Sequence, residues 1–130
     1  MDILLVDDHG PTREEMMNLI EEHDDLNVIG QAATGEEGLR QVQQLHPDLV
    51  LMDVVMPGMN GIEATRAIRG SDPGVRVLAL SNHTGRNLVK ALIEAGAAGY
   101  VRKDHAYEEL ILAIRTVAGG HPYLGAQVEE

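Results

Sequence analysis

Leu49-Val50-Leu51-Met52-Asp53 is the stretch on which the fold turns. A run that is apolar throughout, without alternation, predicts a strand covered on both faces, as in a parallel sheet sandwiched between helices. The apolar run is Leu49 to Met52; a carboxylate, Asp53, follows it, and then a turn containing Pro57, Gly58 and Gly61. Four further runs match it on either side: Ile3 to Val6, Leu26 to Gln31, Val75 to Leu80 (broken only by Arg76), and Ala97 to Val101.

Helical patterns fill the intervals. Glu14 to Glu22 carries Met16, Leu19 and Ile20 at helical spacing. Thr34-Gly35-Glu36-Glu37 reads as a capping box, followed by Leu39, Val42 and Leu45 or His46 on one face, with Pro47 as the stop. Asn60 to Glu63 repeats the cap spacing ahead of Ile62, Thr65 and Ile68. Leu88, Ala91, Leu92 and Ala95 form an apolar stripe that Gly96 ends. Asp104 is placed to cap a last helix with Tyr107, Leu110, Ile111, Ile114 and Val117 on one face, closed by Gly119-Gly120. The order is (βα) five times over, which predicts an α/β fold with a parallel sheet, right-handed crossovers and helices on both sides. One domain over residues 1–121 is expected, with 122–130 a tail or the start of a linker.

Whole-chain numbers bound the function. At 130 residues, 44% hydrophobic and 24% charged, the chain has the balance of an ordinary globular domain. With no cysteine it can build neither a disulfide frame nor a thiolate metal site. A formal net charge of -11 disfavours nucleic acid and anionic lipid as partners. No basic leader and no apolar run of spanning length appears, so the expectation is a soluble cytoplasmic protein.

In an open α/β sheet the ligand sits beyond the carboxyl ends of the strands. The residues standing there are Asp7 and Asp8 after the first run, Asp53 after the third, Ser81 after the fourth, and Arg102-Lys103 after the fifth. Three carboxylates close together repel one another and must protonate or share a cation. An all-oxygen set favours a hard ion, Mg²⁺ where phosphate is handled. A carboxylate attacking a phosphoryl group needs its charge offset on both sides, by the metal and by the Lys103 ammonium. Asp53, between the acidic pair and the Ser81/Lys103 side, is the best nucleophile.

These residues, in this order, resemble the receiver domains of two-component response regulators. The match is carried by Asp7-Asp8, by Asp53 with Met56-Pro57-Gly58-Met59-Asn60-Gly61, by Ser81, and by Tyr100-Val101-Arg102-Lys103, and it covers about residues 1–121. Val6-Asp7-Asp8-His9, Gly96-Ala97-Ala98-Gly99-Tyr100 and Ala113-Ile114-Arg115 with Ala118-Gly119-Gly120 are similar to the NarL/FixJ (LuxR-like) type. The resemblance implies a flavodoxin-like sheet of order 2-1-3-4-5. It also implies Asp53 as phosphoacceptor and Mg²⁺ on Asp8, Asp53 and the backbone carbonyl of Val55, with Asp7 acting through water. Lys103 then pairs with the phosphoryl group, and Ser81 and Tyr100 form the switch. A histidine kinase or phosphotransfer protein is the implied donor, a homodimer a further implied partner, and DNA control belongs to a C-terminal domain of the longer regulators.

Two departures from the family pattern stand out. Asn82 occupies a position where receivers often carry a smaller residue, which implies tighter access for the donor. Asp104 follows Lys103 where many receivers carry proline, so a trans bond is expected, since a cis bond before a non-proline residue costs about 2.5–4 kcal/mol. His83, two residues beyond Ser81, either influences the water that hydrolyses the acyl phosphate or is a solvent-facing loop histidine. The six histidines are otherwise scattered and suggest no zinc site. Two other functions fit the residues less well. A phosphorylation-independent interaction module is disfavoured by the intact acidic set. A phosphohydrolase with an aspartyl nucleophile would need a second Asp where Val55 stands.

Overall fold

The computed structural model describes residues 1–56, 58–81 and 86–124. Its elements run β1 (Asp2–Val6), α1 (Gly10–Glu21), β2 (Asn27–Ala32), α2 (Gly35–Leu45), β3 (Leu49–Asp53), α3 (Gly61–Ser71), β4 (Arg76–Ser81), α4 (Arg86–Ala95), β5 (Gly99–Arg102), a single 3-10 turn (Lys103–His105), α5 (Ala106–Ala118) and β6 (Tyr123–Leu124). The strands form one sheet in the order β2-β1-β3-β4-β5-β6, and every pairing is parallel. The predicted order 2-1-3-4-5 is therefore present, extended by a sixth strand from residues expected to be a tail.

The continuous apolar runs are buried on both faces. Ile3, Leu5, Leu49, Leu51, Leu78 and Leu80 point into one layer with Met16, Ile20, Leu110, Ile114 and Val117. Leu4, Val6, Val50, Met52 and Val77 point into the other with Val42, Ala64 and Ile68. A third cluster under α4 joins Val54, Ala79, Val89, Leu92, Ala97 and Tyr100.

Several boundaries differ from expectation for identifiable reasons. The first helix starts at Gly10 and not at Glu14, because the His9 ring caps it by accepting from the Thr12 N–H and Pro11 is preorganised for a first turn. The caps on Thr34 and Asn60 form as predicted, accepting from the Glu37 and Glu63 N–H groups. The second helix buries Val42, but Leu45 and His46 are exposed and not on the core face. His46 closes that helix in the left-handed region, at φ 48°, just ahead of Pro47. The Lys103–Asp104 bond is trans, as expected, since no described peptide is cis. Helix α5 opens at Ala106, so Asp104 lies in the 3-10 turn ahead of it, where Arg102 holds its carboxylate at 2.6 and 3.0 Å.

Candidate functional site

The register brings the site together. Val6 pairs with Met52 across β1 and β3, so Asp7 and Asp53, each one residue further on, stand side by side. Asp53 pairs with Leu80, and Ser81 with Arg102. Strand polarity alone thus delivers the acidic pair, Asp53, Ser81 and Lys103 to one rim.

Gly61 makes the inner wall possible. A Cβ there would lie 2.4 Å from the Asp53 carbonyl oxygen and 2.5 Å from Val54 Cα. Only glycine lets the first turn of α3 pack directly on the backbone that carries Asp53, and the Gly61 N–H donates to the Val54 carbonyl at 2.9 Å.

Carboxylate oxygens of Asp7, Asp8 and Asp53 lie within 4.8 Å of one another. Asp7 and Asp53 are buried at 2% exposure each, whereas Asp8 is exposed at the mouth. Lys103 Nζ bridges the two buried groups, 3.0 Å from Asp7 Oδ2 and 3.3 Å from Asp53 Oδ1. Asp7 Oδ2 is buried, and its partner among the described residues is this ammonium. Asp7 Oδ1 accepts from the His9 N–H at 2.8 Å, and Asp53 Oδ1 from the Val55 N–H at 3.3 Å.

Burial pushes the Asp53 carboxyl up, and the Asp7 charge adds to it; Lys103 offsets part of the rise, leaving a pKa of about 6. Burial alone would lower the pKa of Lys103, but the two carboxylates outweigh it and hold the ammonium firmly protonated. Among the described residues one ammonium meets this cluster of three carboxylates, and the balance is negative. Three carboxylates with oxygens within 4.8 Å of one another make an all-oxygen donor set that fits a hard divalent cation.

Ser81 is buried at the end of β4. Tyr100 is fully buried in the α4 cluster, which also holds Val54, the residue after Asp53. Burial raises the pKa of its hydroxyl. Val55 follows with an exposed side chain. Arg102, expected on the rim, turns instead to Asp104. Asn82, His83 and Pro57 lie outside the described residues. One contact was not foreseen from sequence: Arg13, in the first turns of α1, donates to the Asp7 carbonyl oxygen. Its spacing from Asp7 carries no signal until the β1–α1 connection is known to be three residues long.

Residues 3–115 match the response regulator receiver domain family. Response regulator GacA of Pseudomonas viridiflava is 41% identical over 128 residues, covering 98% of this chain and 60% of that protein. Response regulator UvrY of Escherichia coli strain K12 is 37% identical over 130 residues, again over 60% of its length. The chain thus spans about 60% of the length of these curated relatives. Among solved structures, a LuxR-family two-component response regulator from an Aurantimonas species superposes with a TM-score of 0.94 at 38% identity, over 98% of this chain and 91% of that one. Among the described residues, no helix is long and apolar enough to cross a membrane.

Proposed function

The chain belongs to the response regulator receiver family of two-component phosphorelay signalling, in its NarL/FixJ (LuxR-like) branch, and on that premise we propose that Asp53 is its phosphoacceptor. The observation that carries the reading is the Lys103 ammonium held between Asp53 and Asp7 at 3.3 and 3.0 Å. With its pKa near 6, Asp53 is ionised at neutral pH and so competent as a nucleophile. Its carboxylate oxygen forms the new bond to phosphorus while the bond from phosphorus to the donor's nitrogen or oxygen breaks. The donor is a histidine kinase or phosphotransfer protein. Lys103 offsets the charge of the incoming phosphoryl oxygens, and the Ser81 hydroxyl donates to one of them.

Asp8, Asp53 and the Val55 carbonyl would hold Mg²⁺, with Asp7 contributing through water. Bound there, the ion would supply positive charge that offsets the repulsion between carboxylate and phosphoryl oxygens. Asn82 and His83 are assigned to donor access and to hydrolysis of the acyl phosphate. Transfer is stoichiometric on this reading, because the domain modifies itself and turns over no separate substrate.

The consequence of phosphorylation is a change at a protein surface. Val54 and Tyr100 share one cluster, so a shift of Asp53 reaches the α4–β5 side through packed side chains. In the whole regulator that surface would govern dimerisation and the DNA-binding activity of a further domain joined after β6, all in the cytoplasm. The test is acetyl phosphate with Mg²⁺, read as a mass gain of one phosphoryl group. Asp53→Ala should abolish the gain, and an unchanged gain in that variant sinks the assignment.

A further inference from the structure

Asp8 is the exposed member of the acidic cluster, so its direction is set by the backbone on either side of it. The connection that carries it is short: Asp7, Asp8 and His9 join the end of β1 to the start of α1. Its polar groups are pinned one after another. The Asp7 N–H donates to the Ala32 carbonyl at 3.0 Å. The His9 N–H donates to Asp7 Oδ1, and the His9 ring caps α1. The Asp7 carbonyl, which belongs to the Asp7–Asp8 peptide, accepts from Arg13 Nη1 at 2.5 Å.

Arg13 is itself held. Its Nε donates to Gln31 Oε1 on β2 at 3.2 Å. Gln31 Nε2 in turn donates to the Met17 sulfur at 3.3 Å, and the Gln31 carbonyl accepts from Gln41 Nε2 on α2 at 2.6 Å. The guanidinium is thus a two-point brace between β2 and the peptide that aims Asp8. A planar fork with donors at fixed positions can do this, whereas a single lysine ammonium reaches one point or the other.

We infer that Arg13 is a positioning residue for the acidic pair, fixing the Asp7–Asp8 peptide so that the Asp8 carboxylate faces Asp53. The inference rests on the reading of that pair as a Mg²⁺ site. It makes no use of the charge on Arg13, which separates it from simple neutralisation of an acidic pocket.

The test is Mg²⁺ titration of the whole chain without a phosphoryl donor, comparing wild type with Arg13→Met, Arg13→Lys and Gln31→Leu, each first shown to be folded by thermal melting. Groups that orient metal ligands are typically worth 10–100-fold in metal affinity, and Arg13→Met is expected to lose about tenfold. Arg13→Lys should lose nearly as much, and Gln31→Leu, which keeps the bond to Asp7 but frees the other end of the brace, should lose less. At saturating Mg²⁺ the rate of phosphorylation of Arg13→Met by acetyl phosphate should return to near the wild-type value, because the defect lies in occupancy. Wild-type affinity in Arg13→Met overturns the inference. Full rescue by lysine overturns it in favour of a charge effect, and so does a rate that stays low at saturating Mg²⁺. If Arg13→Met does not fold, Gln31→Leu decides, and wild-type affinity in that variant overturns the brace. Failure of the wild type itself to bind Mg²⁺ would instead remove the parent reading.

Discussion

Lys103 and Asp53 approach to 3.3 Å across the end of the sheet, and the same ammonium lies 3.0 Å from Asp7. Among the described residues, two buried carboxylates therefore share one ammonium. Replacing Lys103 with Met leaves both without it. Breaking a buried pair by removing one partner typically costs about 3–5 kcal/mol, here limited by protonation of Asp53. The expected outcome is a clear drop in melting temperature at pH 7.5, recovered in part by lowering the pH or by adding millimolar Mg²⁺. A melt unchanged from wild type at low ionic strength would contradict the bridge.

The raised pKa of Asp53 has a definite sign. Burial and Asp7 lift the carboxyl from its ordinary 3.8 to about 6. A carboxyl raised on folding favours the native state below its unfolded pKa, and that advantage is lost as pH climbs through the folded one. Ionised Asp53 is thus a cost above pH 6, with a ceiling of about 3 kcal/mol for a shift of this size. Asp53→Asn should melt higher than wild type at pH 7.5, and the difference should shrink to nothing by about pH 4. Paired melts across that range are the measurement. A constant difference would mean the asparagine acts by packing.

The same numbers bear on metal binding. A cation on Asp53 requires the ionised form, so Mg²⁺ affinity should fall as pH drops below about 6, and binding there should release protons. Titration at pH 5.5 and 7.5 checks this. An affinity that does not change between the two would place the ion away from Asp53.

What could be read from sequence, and what could not, follows from range. The strands of the central sheet were legible because burial on both faces writes itself as unbroken apolar runs. The site was legible because parallel strands deliver their carboxyl-end residues to one rim, so Asp7, Asp53, Ser81 and Lys103 needed only their positions in the chain. Asp53, Ser81 and Arg102 proved to be the last residues of their strands and not the first after them, since the backbone ladder continues past a polar residue that hydropathy counts as a break. Arg13 was illegible because its partner is a backbone carbonyl, which has no residue type to recognise. The sixth strand was illegible because two residues carry no periodicity, and its place depends on what β5 lacks.

Gly61 lacks room for any side chain, since a Cβ would lie within 2.5 Å of backbone atoms of Asp53 and Val54. The neighbour is main chain of a central strand and cannot swing aside, so Gly61→Ala must push α3 outward or bend the β3–α3 connection. Overpacking of this kind costs about 1–3 kcal/mol. The variant should lose stability by that amount, and it should also lose phosphorylation rate at a temperature where it remains folded, because the displaced backbone carries Asp53. Loss of stability alone would confine Gly61 to packing.

Gly99 is the vacancy that admits β6. A Cβ there would fall 2.7 Å from the Tyr123 carbonyl oxygen and 2.9 Å from a methyl of Leu78. The methyl belongs to a side chain that can turn away, but the carbonyl belongs to the strand being docked. With Gly99 bare, Tyr123 pairs beside it and Leu124 beside Tyr100. The Tyr123 hydroxyl donates to Glu109 Oε1 on α5 at 2.6 Å, and burial together with that carboxylate pushes its pKa up to about 12. Two paired residues at a sheet edge hold few hydrogen bonds against the ordering of the chain, so each contact counts. Tyr123→Phe removes a charge-assisted bond worth about 1.5–3 kcal/mol, discounted here because the pair is only partly buried. Gly99→Ala removes the seat itself. Amide hydrogen exchange at Tyr123, whose N–H donates to the Ala98 carbonyl at 3.3 Å, should quicken modestly in the first variant and approach the unprotected rate in the second, while β1 and β3 stay protected. Unchanged protection of Tyr123 in Gly99→Ala would mean that the sixth strand is held by something other than the gap at Gly99.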